Sequence, residues 1–402
     1  MREMLQGKKI LLGLSGGIAV YKAVDLASQL TKNGAIVKTI MTTAAMEFVT
    51  PLTFRSITHE SVTDKLFNSE ALIEHISLAE WADLMVIAPA TADIIGKIAN
   101  GIADDLLTTT ILATKSKKLV VPAMNVNMYE NPILQANLLR LKEYGFVIME
   151  PEEGLLACGS TGKGRFPAVE EIMSAICSNI YYDHDLYMKK ILITVGATRE
   201  RIDPMRYISN FSSGKMGLAL ARSAYFRGAQ VTVVYGSVQE NLPYYTHNIQ
   251  ALSALEMFNV VIKISKKFDV IIGCAAVADF TPAKYSEQKI KKDGFPQSIN
   301  ASLHHELTID LQKTKDLLFT LGKQKKSTQY YIGFAAESEN HLENGYQKMS
   351  KKNLDLMVVN DLSVAGESNS VIRILSRSRE NKILEYQGSK PWLAHKILEC
   401  IL

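Results

Sequence analysis

The strongest constraint on this chain is an order of elements that occurs twice. KKILLGLSGG begins at Lys8 and KKILITVGAT at Lys189; NGAIVKTIM places Gly34 where RGAQVTVVY places Gly228; ADLMVIAPATAD and FDVIIGCAAVAD align through Asp83 and Asp269. In each half an apolar strand runs into a small-residue loop, a helical pattern, a second strand and then a buried strand ending in small residues. An Asp closes that ending in both halves, with Asp279 standing where Asp93 stands. Strands alternating with helices give a parallel sheet covered on both faces. The reading is therefore α/β: two Rossmann-like domains, each a mostly parallel sheet flanked by helices. The offsets of 181, 194 and 186 residues are unequal, so the match is one of architecture.

At 402 residues the chain has room for both domains, and the polar, aromatic stretch YYDHDLYMKK sets the predicted boundary, giving 1–188 and 189–402. With 47% hydrophobic and 21% charged residues, collagen-like and disordered classes are excluded. A net charge of +4 is too mild to point to nucleic acid. Cys158, Cys177, Cys274 and Cys400 lie far apart with no CxxC, and the eight histidines show no metal-ligand spacing, so neither a zinc site nor a disulfide framework is signalled. Arg2, Lys8 and Lys9 ahead of the apolar run Ile10 to Val20 loosely imitate a secretory signal. The Gly16-Gly17 break and the helical pattern from Tyr21 argue against it. No apolar run reaches the roughly 18 residues of a membrane helix, and the expected compartment is the cytoplasm, with no membrane partner.

Ligands of such sheets bind beyond the C-terminal strand ends. In the first half, SGGIAVYK (Ser15 to Lys22) follows the first strand: two glycines let the backbone approach an anion at a helix N-terminus. The GxGxxG spacing is missing, which disfavours a dinucleotide and leaves a mononucleotide phosphate or a plain tight turn. MTTAA with Thr42 and APATAD with Ala88 and Thr91 are the next strand-end loops. His75 lies at a predicted helix start, as a catalytic or a structural residue. PAMN ends a strand with Asn125, whose amide can donate to a carboxylate. LACGSTGKGRFP (155–167) is a glycine-rich loop of the kind that forms flaps, and its Cys158 reads either as a proton donor or nucleophile or as a small buried residue.

In the second half, GATRERIDPMRYISNFSSGKMG (196–217) leads into a helix near Lys215 and forms another anion cradle. It is no Walker A loop, because Ser209 occupies the position where that motif needs Gly. GCAAVADF (273–280) ends a buried strand. KIKKDG brings Lys289, Lys291 and Lys292, and QKMSKKNLDLMVVND (347–361) brings Lys348, Lys351 and Lys352. These lysines read as a solvated face or, flanking strand-end loops, as a polyphosphate site. YYIGFAAE (330–337) and LDLMVVND (354–361) read as further buried strands, and 293–305 as a long loop.

Taken in order, SGGIAVYK, HISLAEWADL, APATAD, ADDLLTT, PAMNVNMYENP and ACGSTGKGR resemble the flavin-dependent cysteine decarboxylases. Specifically, they resemble the phosphopantothenoylcysteine decarboxylase half of the bifunctional enzyme of coenzyme A biosynthesis. DPMRYISNFSSGKMG, AAVADF, KIKK, GFAAE and KKNLDLMVVND resemble its partner activity, phosphopantothenate–cysteine ligase. The first resemblance implies FMN as electron sink for the decarboxylation. It implies that Ser15, Gly16 and Gly17 bind the FMN phosphate with Thr42, Ala88 and Thr91 nearby, that Asn125 holds the substrate carboxylate, that His75 assists near the flavin, and that Cys158 protonates the product or gates the site. The second implies CTP with Mg²⁺, the substrates 4'-phosphopantothenate and L-cysteine, and an acyl-cytidylate intermediate. Asn210 and Lys289 match catalytic positions. Gly273, Cys274, Ala275, Asp279, Lys315, Asp316, Leu317, Leu318, Phe334, Lys348 and Lys352 match nucleotide contacts. A homo-oligomer, up to a dodecamer, is implied as well. Two departures stand out: Phe166-Pro167 directly after Arg165, where the family carries Met and an acidic residue before Pro, and Thr314-Lys315 where it carries Asn-Pro. The competing readings are a two-domain NAD(P) oxidoreductase, disfavoured by both first loops, and a flavin-binding regulatory protein.

Overall fold

A computed structural model describes residues 1–66, 74–157, 159–291, 308–337, 341–361, 369–377 and 383–401. Two compact units, Met1–Asp185 and Leu186–Leu402, make up the chain.

In the first unit, β1 (Lys9–Leu14), β2 (Ile36–Met41), β3 (Val62–Thr63), β4 (Leu84–Ala90), β5 (Lys117–Pro122) and β6 (Val147–Ile148) form a parallel sheet in the order β3-β2-β1-β4-β5-β6. Strand β4 is buried along its whole length. That is why its sequence is continuously apolar rather than alternating: helices cover both faces. Leu11, Met85, Ile87 and Val120 pack with Ile95, Leu107 and Leu138 from the covering helices. A separate antiparallel hairpin, β7 (Glu152–Leu155) with β8 (Thr161–Arg165), follows the sheet.

The second unit opens with β9 (Lys190–Val195) and a small antiparallel pair, β10 (Arg199–Arg201) with β11 (Tyr207–Ser209). Next come β12 (Gln230–Tyr235), β13 (His247–Gln250) and β14 (Val270–Gly273), then a second small pair, β15 (Phe280–Pro282) with β16 (Leu311–Lys313). The chain ends with β17 (Tyr330–Glu337), β18 (Leu356–Asp361), β19 (Asn369–Ser376) and β20 (Leu384–Ser389). The main sheet runs β13-β12-β9-β14-β17-β18-β19-β20. Its first six strands are parallel and repeat the order of the first sheet, the arrangement of a doubly wound dinucleotide-type fold. Side chains alternate across it: Ile193, Val233, Ile272 and Ile332 face one core with Leu220 and Leu393, while Leu192 and Ile271 face another with Met257 and Leu321.

The repeat extends to single atoms. In the first unit the Lys9 N–H donates to Asp83 Oδ2 at 2.8 Å, and in the second the Lys190 N–H donates to Asp269 Oδ2 at 2.8 Å. Each Asp precedes the fourth parallel strand and pins its start to that of the first. The proposed equivalence of Asp93 and Asp279 fails. Asp93 lies in the first turn of helix Ala92–Ala99 and pairs with Lys97 (3.6 Å), whereas Asp279 lies in the loop entering β15. The antiparallel β19 and β20, and the helix Lys390–Glu399 packed beside helix Lys215–Phe226, extend the expected mostly parallel sheet. The predicted loop 293–305 lies outside the described residues.

Candidate functional site

At the C-terminal ends of the first sheet four loops meet helix N-termini, and three of those helices cap themselves. Thr42 accepts from the Ala45 N–H (3.2 Å), Thr91 from the Ile94 N–H (3.5 Å) and Asn125 from the Asn127 N–H (2.8 Å). The turn Gly16–Ala19 is different. Helix Val20–Lys32 has no side-chain cap, and among the described residues the N–H groups of Gly16, Gly17, Ile18 and Ala19 donate to no protein acceptor. Four unspent donors at the positive end of a 13-residue helix suit an anion. The site therefore fits a phosphate-bearing group. Gly16 is required by its neighbours: a Cβ there would stand 2.3 Å from Ala44 Cβ and 2.8 Å from the Ala44 carbonyl carbon.

The predicted residues divide in their placement. Ser15 is 2% exposed, and its hydroxyl donates to the Pro89 carbonyl (2.8 Å) while accepting from the Thr91 N–H (2.9 Å). It joins two of the loops instead of pointing its hydroxyl outward. Ala88 is fully buried inside β4. Asn125 is half-buried. Its Oδ1 accepts from the Asn127 N–H, which turns its amide nitrogen toward Ser160 Oγ at 3.5 Å. The hairpin β7–β8 folds over this loop: the Met124 N–H donates to Gly164 O at 2.9 Å. At Gly164 φ is +146° and a Cβ would stand 2.2 Å from Met124 O, so only glycine allows this crossing. Phe166, the departure from the family pattern, is 3% exposed and serves as a core residue at the hairpin's exit. His75 is half-buried at the start of helix Glu74–Trp81. That start is tied to β3 by the Thr63 hydroxyl donating to Glu74 (3.0 Å), and no described hydrogen bond links His75 to the other loops. Cys158 lies outside the described residues.

In the second unit, too, hydrogen bonds join the strand-end loops. The Ala276 N–H donates to Gly196 O (2.8 Å), and Asn210 Nδ2 donates to Ala276 O (3.2 Å), placing Asn210 against the loop of Gly273, Cys274, Ala275 and Asp279. Thr314 holds the far end of that loop, its hydroxyl donating to Ala278 O (2.7 Å) and its N–H to Asp279 O (2.9 Å). The second departure thus has a job. Asp316 caps helix Leu317–Gln324 and pairs with Lys352 (3.0 Å), and Leu318 packs on Gly273. Lys315 stands over the Phe258 ring (5.1 Å). Half-buried Phe334 packs beside β14 on β17, and exposed Lys348 lies one helical turn before Lys352. Burial pushes the Cys274 thiol up to about 12, so it stays neutral and contributes packing rather than a nucleophile. Among the described residues no cluster of three or more His, Cys, Asp or Glu is placed to hold a metal ion.

One residue escaped the sequence reading. Asp203 is 1% exposed and accepts from the N–H groups of Met205 (2.7 Å), Arg206 (2.8 Å) and Ile290 (3.2 Å). It ties the segment bearing exposed Lys289 to the hairpin bearing Asn210, and Arg206 reinforces the tie by donating to Ile290 O at 3.1 Å. Burial works to raise its carboxyl, but the three N–H donors and the Arg206 charge outweigh it and hold the group below its usual value. A depressed folded value means that the clamp is present above the usual carboxylate range near about pH 4. It is lost only as pH falls through the folded value. In Asp203→Ala the Ile290 amide should exchange its hydrogen markedly faster at neutral pH. Unchanged exchange there would refute the clamp.

Residues 1–181 match the family described as Flavoprotein, and residues 186–402 match the DNA/pantothenate metabolism flavoprotein C-terminal domain. The chain is 44% identical over 392 residues to the coenzyme A biosynthesis bifunctional protein CoaBC of Vibrio vulnificus (strain YJ016), covering 96% of this chain and 94% of that one. It is 41% identical to that of Borreliella burgdorferi, covering 99% and 100%. A solved structure of the C-terminal domain of a CoaBC protein is 35% identical over 54% of this chain and 96% of that one, with a TM-score of 0.45. No helix among the described residues is long and apolar enough to cross a membrane.

Proposed function

Because the chain belongs to the family of coenzyme A biosynthesis bifunctional proteins, CoaBC, it pairs a phosphopantothenoylcysteine decarboxylase with a phosphopantothenate–cysteine ligase, and we propose how its residues divide that work. The decarboxylase occupies 1–188 and the ligase 189–402. What supports the division most is that two family models match the chain side by side, over residues 1–181 and 186–402, while the alignment with the relatives runs nearly end to end.

In the first unit the cofactor is FMN, which when bound supplies a two-electron sink that makes loss of the cysteinyl carboxylate feasible. The free N–H groups of Gly16 and Gly17 hold its phosphate, and Ser15 fixes the spacing between that turn and the loop of Ala88 and Thr91; Thr42 borders the same site. Asn125 donates to the substrate carboxylate, His75 assists beside the flavin, and Cys158 delivers the proton to the product enethiolate from the flap. In the second unit CTP activates the carboxylate of 4'-phosphopantothenate, since a carboxylate is a poor electrophile until a good leaving group is attached. Lys289, Lys348 and Lys352 offset the triphosphate charge. Mg²⁺ would take its ligands chiefly from the phosphates, since no cluster of three or more His, Cys, Asp or Glu among the described residues is placed to hold it. Asn210 and the loop Gly273–Asp279 orient the reacting carboxyl and the nucleotide, together with Lys315 to Leu318 and Phe334. The amine of L-cysteine then displaces CMP. The protein works in the cytoplasm as a homo-oligomer.

Cys158→Ser tests the division. The variant should release CMP at the normal rate yet accumulate phosphopantothenoylcysteine, with phosphopantetheine output down on the order of 10²-fold or more. Normal phosphopantetheine output from it would remove Cys158 from the mechanism.

A further inference from the structure

A cavity of about 540 Å³ lies in the first unit at the N-terminal edge of the sheet, away from the strand ends that carry the flavin loops. Ile98 at the end of helix Ala92–Ala99, Ile111 and Leu112 on helix Leu106–Ala113, and Phe146 just before β6 give it apolar walls. Lys118 at the start of β5 and Arg140 on helix Pro132–Glu143 add two cations. No carboxylate lines it. Thr91, at the opposite end of helix Ala92–Ala99, borders the flavin site. Eight residues of helix separate the two by about 12 Å.

The two cations are unusual for their surroundings. Neighbouring Lys97 pairs with Asp104 (3.0 Å), and Lys117 pairs with Asp183 (3.1 Å). Lys118 and Arg140 pair with no carboxylate among the described residues: Lys118 Nζ stands 5.2 Å from the Phe146 ring centroid, and Arg140 donates to Asn100 Oδ1 (2.7 Å). Burial lowers the Lys118 amine below its usual value. An ammonium partly withdrawn from water is stabilised by a nearby anion more than an exposed one would be. The volume lies within the range of small-molecule sites, roughly 300–1,000 Å³.

We propose that this cavity binds a small amphipathic anion, a carboxylate or phosphate monoester carrying an aliphatic or aromatic body, with its charge at Lys118 and Arg140 and its body against Ile98, Ile111 and Phe146. Apolar walls alone would take a neutral ligand; two unneutralised cations at one cavity select a charged one.

Isothermal titration of the flavin-loaded full chain with octanoate, octyl phosphate and 1-octanol tests this at low salt, where a charge contribution is least screened. Saturable binding of either anion, with 1-octanol at least about tenfold weaker, is expected from one charge-assisted contact. Which anion binds more tightly identifies the head group. Lys118→Met and Arg140→Gln should each weaken the anion about tenfold. Leu112→Glu, at a side chain 65% exposed on the rim and so harmless to the fold, should weaken it by repulsion. No saturable binding by either anion overturns the proposal. So does equal binding of 1-octanol, or an affinity that the three substitutions leave unchanged.

Discussion

Lys289→Gln should lower ligation on the order of 10²–10³-fold, the usual loss when one preorganised charge that meets developing negative charge is removed. Decarboxylation of supplied phosphopantothenoylcysteine should be untouched. The reasoning is local. Lys289 is exposed on a segment held at Ile290 by buried Asp203, which also fixes the turn of Met205 and Arg206 ahead of Asn210. Neutralising the side chain leaves that anchor intact, because the clamp uses the backbone N–H groups of Met205, Arg206 and Ile290 rather than the lysine itself. Glutamine keeps much of the length and some hydrogen bonding but no charge, so the loss isolates the electrostatic part. The check is chromatographic: CMP release from phosphopantothenate, cysteine and CTP, beside phosphopantetheine release from supplied intermediate. Equal damage to both would mean a folding defect and would take Lys289 out of its role.

Gly16→Ala should strip the flavin from the first unit. The added methyl would sit 2.3 Å from Ala44 Cβ and 2.8 Å from the Ala44 carbonyl carbon, and backbone cannot swing aside as a flexible side chain can. The turn must therefore shift, at a cost of about 1–3 kcal/mol typical of overpacking. The four N–H donors of Gly16 to Ala19 shift with it. Flavin absorbance after desalting should fall by at least about tenfold, a loss of roughly 1.4 kcal/mol in binding, and decarboxylation should fall in parallel while ligation continues. Full flavin content in this variant would show that the turn is not the phosphate cradle.

Much of the fold could be read from the chain because the strands that matter are buried on both faces and leave unbroken apolar runs. Asp83 and Asp269 align because each does the same thing, accepting the first N–H of the first strand. The strands β19 and β20 were harder to foresee. They lie at the edge, mix charge with apolar residues, and join across it through pairs such as Arg373–Glu385 at 2.7 Å. Site residues followed a similar division. Glycines, Asn125 and the lysines stand out by type and place, but the use of each polar atom depends on neighbours distant in sequence. Ser15 read as a phosphate ligand, whereas its hydroxyl is engaged by residues 74 and 76 positions away. Asp203 opens a matched motif, but nothing local announced its role, because its partner Ile290 is 87 positions on and contributes only backbone. Thr314 looked like a departure, yet its hydroxyl secures the loop of Ala278 and Asp279. For Ser15 and Thr314 local pattern located the residue and tertiary hydrogen bonding decided its task; for Asp203 tertiary hydrogen bonding alone reveals both.

The most direct test of the account is mass spectrometry of one reaction containing the purified chain, FMN, Mg²⁺, 4'-phosphopantothenate, L-cysteine and CTP. The account predicts 4'-phosphopantetheine and CMP in equal amounts. Neither product, or phosphopantothenoylcysteine accumulating with no phosphopantetheine from the flavin-loaded chain, would contradict it.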